Sequence, residues 1–166
     1  MNGDLYDPGS IELETSLGYY LTKARQVLVE RMDRALGPLD LTAQQIGVIL
    51  LLARGCARTP FELSRKLAYD SGSMTRMLDR LERKGFVSRA RSAQDRRVIE
   101  LALTGQGHAA ARALPALIAA VLNTQLAGFS ADELAALIGL LQRFIANAPD
   151  PAACADCAAL PEPAAD

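Results

Sequence analysis

The chain has no tryptophan, a single histidine, and only four tyrosines and four phenylalanines in 166 residues. An aromatic-lined cofactor cavity is therefore not advertised, and one imidazole cannot build a zinc centre of several histidines. Cysteine is scarce as well. Three cysteines at scattered spacing are no disulfide framework. Cys154 and Cys157 form a C-x-x-C in "DPAACADCAALPEPAAD", but no second cysteine pair completes four ligands, so no metal is expected. That stretch, 149–166, reads as a disordered Ala/Pro tail. No apolar run reaches bilayer length, and the longest, "IGVILLLA" (46–53), suits a buried helix. "MNGDLYDPGS" lacks the basic and apolar regions of a secretory signal, so a cytoplasmic protein without a membrane partner is expected. Missing too are a P-loop, a Rossmann fingerprint and a Ser/His/Asp order. An enzyme is not indicated, and no cofactor is expected.

What is present is apolar and unevenly charged. Half of the residues are hydrophobic, enough for one domain with a core, or one domain plus an extension. Between Arg54 and Arg97 stand twelve Lys and Arg against five Asp and Glu, while the rest of the chain holds six basic and fourteen acidic residues. A basic middle between acidic arms suits an anionic partner, although a solvated charged face has the same composition.

Periodicity orders the chain into helices and one hairpin. Residues 12–36 repeat apolar positions at helical spacing (Leu13, Leu17, Tyr20, Leu21, Ala24, Val27, Leu28, Met32), with Ser10 as N-cap and Gly37-Pro38 as the stop. "LTAQQIGVILLLARG" (41–55) opens on a capping box, Thr42 and Gln45, and offers Ile46, Ile49, Leu50 and Ala53 as a core face. "RTPFELSRKLA" (58–68) starts at Thr59-Pro60, with Phe61, Leu63, Leu67 and Ala68 apolar. After a break at 70–72, a second short helix carries Met74, Met77, Leu78 and Leu81 and ends at Gly85. A hairpin covers 86–103, a long helix 103–129 with a kink at Pro115, and a last helix 130–149, capped by Ser130 and Glu133.

Two short helices around a tight turn, followed at once by a hairpin, are the plan of a winged helix-turn-helix. The second helix of such a pair enters the major groove, so its early residues must be small, polar or basic. Here they are Ser71, Ser73, Thr75 and Arg76, with Arg80, Arg83 and Lys84 further along for phosphates. The hairpin centre, "VSRARSAQDRRVIELAL", carries Arg89, Arg91, Arg96 and Arg97 around Asp95. A guanidinium tip suits a narrow minor groove, with Asp95 orienting an arginine by a bidentate pair.

From "LTAQQIGVILLL" through "TPFELSRKLAYDSGSMTRMLDRLERKGFVSRARSAQDRRVIELALTGQG", the sequence resembles the MarR-type transcriptional regulators. The family's frequent "SPxDRR" is here "SAQDRR", with Ala93 in place of Pro. The resemblance implies a mainly α fold with a small β-hairpin wing. It implies a winged helix-turn-helix lobe at 41–103 and N- and C-terminal dimerisation helices at 12–36 and 104–148. It also implies a homodimer on double-stranded DNA with a palindromic operator, Asp95 and Arg97 as the wing-tip pair, and Arg96 on a phosphate. A dimer also follows from apolar seams in want of cover: Leu114, Leu117, Ile118, Val121 and Leu122, then Leu137, Ile138, Leu141, Phe144 and Ile145. An intramolecular bundle is the alternative. Relatives of this kind commonly leave DNA when a small phenolic or aromatic carboxylate binds, and Tyr19, Tyr20, Arg25, His108 and Arg112 are the residues suited to it. Two other readings stay open: a redox-sensing repressor using Cys56 beside Arg54 and Arg58, and a protein-interaction module that docks an acidic partner through the basic lobe.

Overall fold

The computed structural model describes residues 5–92 and 94–147. The tail 149–166, with Cys154 and Cys157, and Ala93 in the wing lie outside the described residues. Helix α1 (Leu17–Leu36) is followed by α2 (Ala43–Ala53), α3 (Pro60–Leu67) and α4 (Ser71–Arg83). The strands β1 (Val87–Arg91) and β2 (Ile99–Leu103) come next, then α5 (Gly105–Gln125) and α6 (Ala131–Ala146). Single 3₁₀ turns stand at Leu13–Thr15 and Gly37–Leu39. No single helix among the described residues is long and apolar enough to cross a membrane.

Local chemistry sets most boundaries. The capping boxes at Thr42/Gln45 and Ser130/Glu133 are both formed, and Thr59 with Glu62 makes a third. Glu62 reaches back to the N–H groups of Arg58 at 2.6 Å and Thr59 at 3.0 Å. Helix α1 is shorter than expected. Its N-cap is Ser16, whose hydroxyl accepts from the Tyr19 N–H at 3.2 Å, because the 3₁₀ turn separates Ser10 from the helix. Helix α5 runs on through Pro115 and ends at Gln125, short of the expected 129.

The core gathers the end of α1, helices α2 to α4, the root of the hairpin and the first half of α5. Leu36, Val48, Ile49, Leu63, Leu81 and Leu114 are wholly enclosed. All four apolar residues assigned to the inner face of α4 are buried. The expected face of α2 is only partly right. Ile49 is buried and Ile46 and Leu50 pack against the core, but Ala53 is exposed while Val48 and Gln45 are buried. Helices α1, α3, α5 and strand β2 surround α2, so burial there is not confined to one stripe. On α3, Leu63 is buried but Phe61 is 75% exposed, and Ala68 sits exposed in the left-handed region at φ 53°. Leu114, expected to need a partner chain, is covered by its own.

Three joints fix the hairpin and α4 to this core. The Leu101 N–H donates to the Arg58 carbonyl at 2.7 Å, tying β2 to the loop ahead of α3. Lys84, at the end of α4, donates to the Asp40 carbonyl at 2.6 Å and its carboxylate at 3.0 Å. Thr104 caps α5 and bonds back to the Gly85 and Phe86 carbonyls. Helix α6, by contrast, buries none of its residues.

Candidate nucleic-acid interface

Helix α4 is amphipathic in the strict sense. Met74, Met77, Leu78 and Leu81 lock one face inside, which turns Ser71, Thr75, Arg76 and Arg80 to solvent with Ser73 half-buried. Asp70 is the N-cap, accepting from the Ser73 N–H at 2.8 Å. Hydrogen bonds from the Ser73 side chain and backbone, together with the nearby Arg76 charge, hold the Asp70 carboxyl below its ordinary 3.8. The Thr75 hydroxyl donates to the Ser71 carbonyl at 2.8 Å, leaving its lone pairs outward. Arg76 donates to Ser73 Oγ at 3.0 Å, so the first turn presents an ordered polar surface. The Arg80 guanidinium is exposed with no partner among the described residues. Arg83 donates weakly to the Asp79 carbonyl at 3.4 Å. Lys84, which the sequence suited to a phosphate, is engaged by Asp40.

The wing pairs in antiparallel register from Val87↔Leu103 to Arg91↔Ile99. Its tip is held by main-chain bonds: Ser92 N–H to the Val98 carbonyl at 2.9 Å, and Val98 N–H to the Asp95 carbonyl at 2.9 Å. Asp95 does not form the expected bidentate pair. Its carboxylate accepts from the backbone N–H of Arg97 at 2.9 Å, a turn of the kind that Asp favours. It therefore orders the loop that carries Arg97, leaving the guanidinium unheld. Arg91, Arg96 and Arg97 are exposed with no side-chain partner among the described residues. Arg89 differs. It lies at the wing root, opposite Leu101, and bridges to Asp79 at 2.7 Å and Glu82 at 3.5 Å on α4. That bridge was missed in the sequence, where the only sign of it is an Asp79/Glu82 pair in an otherwise basic stretch.

Of the five residues considered for a small acid, two are neighbours on α1. Tyr19 and Tyr20 stack edge-on at 5.6 Å, and the Lys23 ammonium lies 5.8 Å from the Tyr19 ring centre. Tyr20 lines a groove of 740 Å³ between α1 and α6 that Leu17, Leu137, Leu140 and Phe144 also border. Arg25, His108 and Arg112 are exposed elsewhere on α1 and α5. Cys56 is half-buried, and its sulfur lies 3.8 Å from the Arg54 carbonyl oxygen. Among the described residues no His/Cys/Asp/Glu group has the arrangement of a metal site.

Helix-turn-helix, wing and free arginines agree with what the chain is similar to. The model of the MarR family matches residues 41–99. The multiple antibiotic resistance protein MarR of Escherichia coli K12 is 35% identical over 130 residues, covering 78% of this chain and 90% of that protein. A mutant of E. coli MarR in complex with operator DNA superposes with a TM-score of 0.71 at 34% identity, over 78% of this chain and 93% of that one. The transcriptional repressor CouR, bound to a 23-mer DNA duplex, superposes with a TM-score of 0.73 at 30% identity, over 82% and 99%. This chain belongs to the MarR family of DNA-binding transcriptional regulators.

Proposed function

We propose that the protein is a homodimeric repressor that grips a palindromic operator and lets go when a small aromatic or phenolic acid binds. In this reading α4 lies in the major groove, with Ser71, Ser73, Thr75 and Arg76 towards base edges and Arg80 on the backbone. Arg91, Arg96 and Arg97 follow the wing into the adjacent minor groove or onto phosphates, where negative potential is concentrated. The observation that carries this is the set of exposed guanidiniums without a partner among the described residues (Arg80, Arg91, Arg96, Arg97) on one lobe, beside the exposed Ser71, Thr75 and Arg76 of α4. Two symmetric lobes would reach half-sites about one helical turn apart. The dimer reading is supported by exposed apolar side chains on α1 and α6, among them Leu17, Tyr20, Leu140 and Phe144.

The test is Arg97→Ala. Operator affinity by fluorescence anisotropy is expected to fall by roughly tenfold or more, as for other lost groove contacts, while sedimentation still reports two chains. Wild-type affinity in the variant would remove Arg97 from the interface. Adding salicylate to the wild-type complex tests release: a drop in anisotropy at fixed protein concentration is expected. A complex that persists at saturating acid would remove the effector from the reading.

A further inference from the structure

Arg89 is the one wing-strand arginine that does not face open solvent. Its side chain is 26% exposed, and its Nε atom is shut off from solvent without a hydrogen bond among the described residues. One Nη donates to Asp79 Oδ1 at 2.7 Å, and Nε stands 3.5 Å from Glu82 Oε2. Asp79 and Glu82 are the two acidic residues of α4, three positions apart and so on one flank of the helix. Strand β1 is thereby pinned to the second half of α4 by a planar fork with two carboxylates to fill it.

We infer that Arg89 is a positioning residue for DNA binding. It does not touch the duplex; it locks β1 onto α4, so that the wing-tip arginines and the base-facing residues of α4 keep one spacing. This rests on the DNA-binding reading and adds to it. Groove contacts require both elements to arrive in register, and the strands β1 and β2 carry the tip. A further consequence concerns charge. Two carboxylates on a helix offered to a polyanion are unfavourable, and the same guanidinium offsets half of their charge.

The sign of two variants separates positioning from simple electrostatics. Asp79→Asn combined with Glu82→Gln removes negative charge from the DNA-facing lobe. Coulomb's law alone makes every duplex bind more tightly. Positioning makes the operator bind more weakly while a scrambled duplex binds as well as before or better. Arg89→Lys keeps the charge but loses the fork. A phosphate contact would survive that change, whereas a two-carboxylate clamp would not. We expect both variants to lose about tenfold or more in operator affinity, and Arg89→Lys to keep the wild-type slope of log affinity against log salt. Both carboxylates are half-exposed, so the fold is expected to survive, and thermal melts of each variant verify it. Tighter operator binding by the acid-to-amide variant, or wild-type affinity in Arg89→Lys, would overturn the inference while leaving the DNA-binding reading intact. A wild-type protein that does not distinguish any operator from scrambled DNA would remove that reading, and the inference with it.

Discussion

At the scale of single residues, two positions are set by backbone geometry that a side chain either forbids or resents. A Cβ on Gly107 would lie 2.1 Å from the Phe86 carbonyl oxygen, which is main chain and already bonded to Thr104. No rotamer change relieves that contact. Gly107→Ala should destabilise the protein by about 1–3 kcal/mol, the range for forced overpacking, with a matching drop in denaturant midpoint. Ala68 is the opposite case. It ends α3 in the left-handed region at φ 53° and ψ 41°, a conformation that an L-residue with a Cβ adopts at a cost. Ala68→Gly removes the Cβ strain and gives back part of that gain as unfolded-chain entropy. A net stabilisation of up to about 1 kcal/mol is expected by the same denaturation measurement. Neither position announces itself in the sequence. "TGQG" reads as a helix start, and the clash at Gly107 depends on a carbonyl 21 residues away. Arg89 eluded sequence reading for the same reason, because its partners on α4 are set by strand register.

At the scale of the element, what the sequence disclosed was local and what it hid was tertiary. Helix starts written as Thr-x-x-Gln and Ser-x-x-Glu appeared as boxes at Thr42 and Ser130, and the inner stripe of α4 is buried residue for residue. The Thr59-x-x-Glu62 box carries the same signal, of which the sequence reading uses only Thr59 as a cap with Pro60 in the first turn. Burial around α2 was not, because a helix packed on several sides has no single inner face. The three carboxylates at helix starts make a pH prediction. The Arg58 N–H, against some desolvation, and then the Thr59 N–H hold Glu62 below its ordinary 4.5; Ser130 does the same for Glu133 and Ser73 for Asp70. A carboxyl with a folded-state pKa below its unfolded one stabilises the fold fully above the unfolded value, and that stability disappears as pH falls through the folded value. Melting temperature should therefore be insensitive to these groups above about pH 5.5 and fall progressively below about pH 4.5. Glu62→Gln keeps a carbonyl acceptor for the Arg58 and Thr59 N–H groups but cannot titrate. Its melting temperature should fall less between neutral and acid pH than that of the wild type. Parallel curves for the two proteins would show that Glu62 does not contribute.

At the scale of the whole molecule, the decisive fact is an apolar surface with no cover of its own. Helix α6 buries no residue, and Leu137, Ile138, Leu140 and Phe144 are each more than 40% exposed. Facing them across the groove, Leu17 is 44% and Tyr20 60% exposed on α1. The inner part of the expected seam, around Leu114 on α5, is already closed by the chain's own core, so the surface in need of a partner is narrower than periodicity implied. An amphipathic helix gains little from forming alone, since its stability comes from burying the apolar face. A second copy meeting the first through α1 and α6 would supply that burial in both chains by symmetry. Phe144→Glu tests this with little cost to the isolated chain, because the site is half-exposed there. In the dimer the same carboxylate would be buried without a partner, which is strongly unfavourable. We expect wild-type sedimentation at the mass of two chains, and Phe144→Glu at the mass of one with rapid amide exchange confined to α6. The lobe carrying α4 and the wing should stay folded on its own core. Its operator affinity should nonetheless collapse by roughly 10²–10⁴, because the second half-site is no longer an intramolecular event. A variant that remains dimeric, or a monomer that holds the operator as tightly as the wild type, would refute the assembly and leave the lobe as a single-site binder.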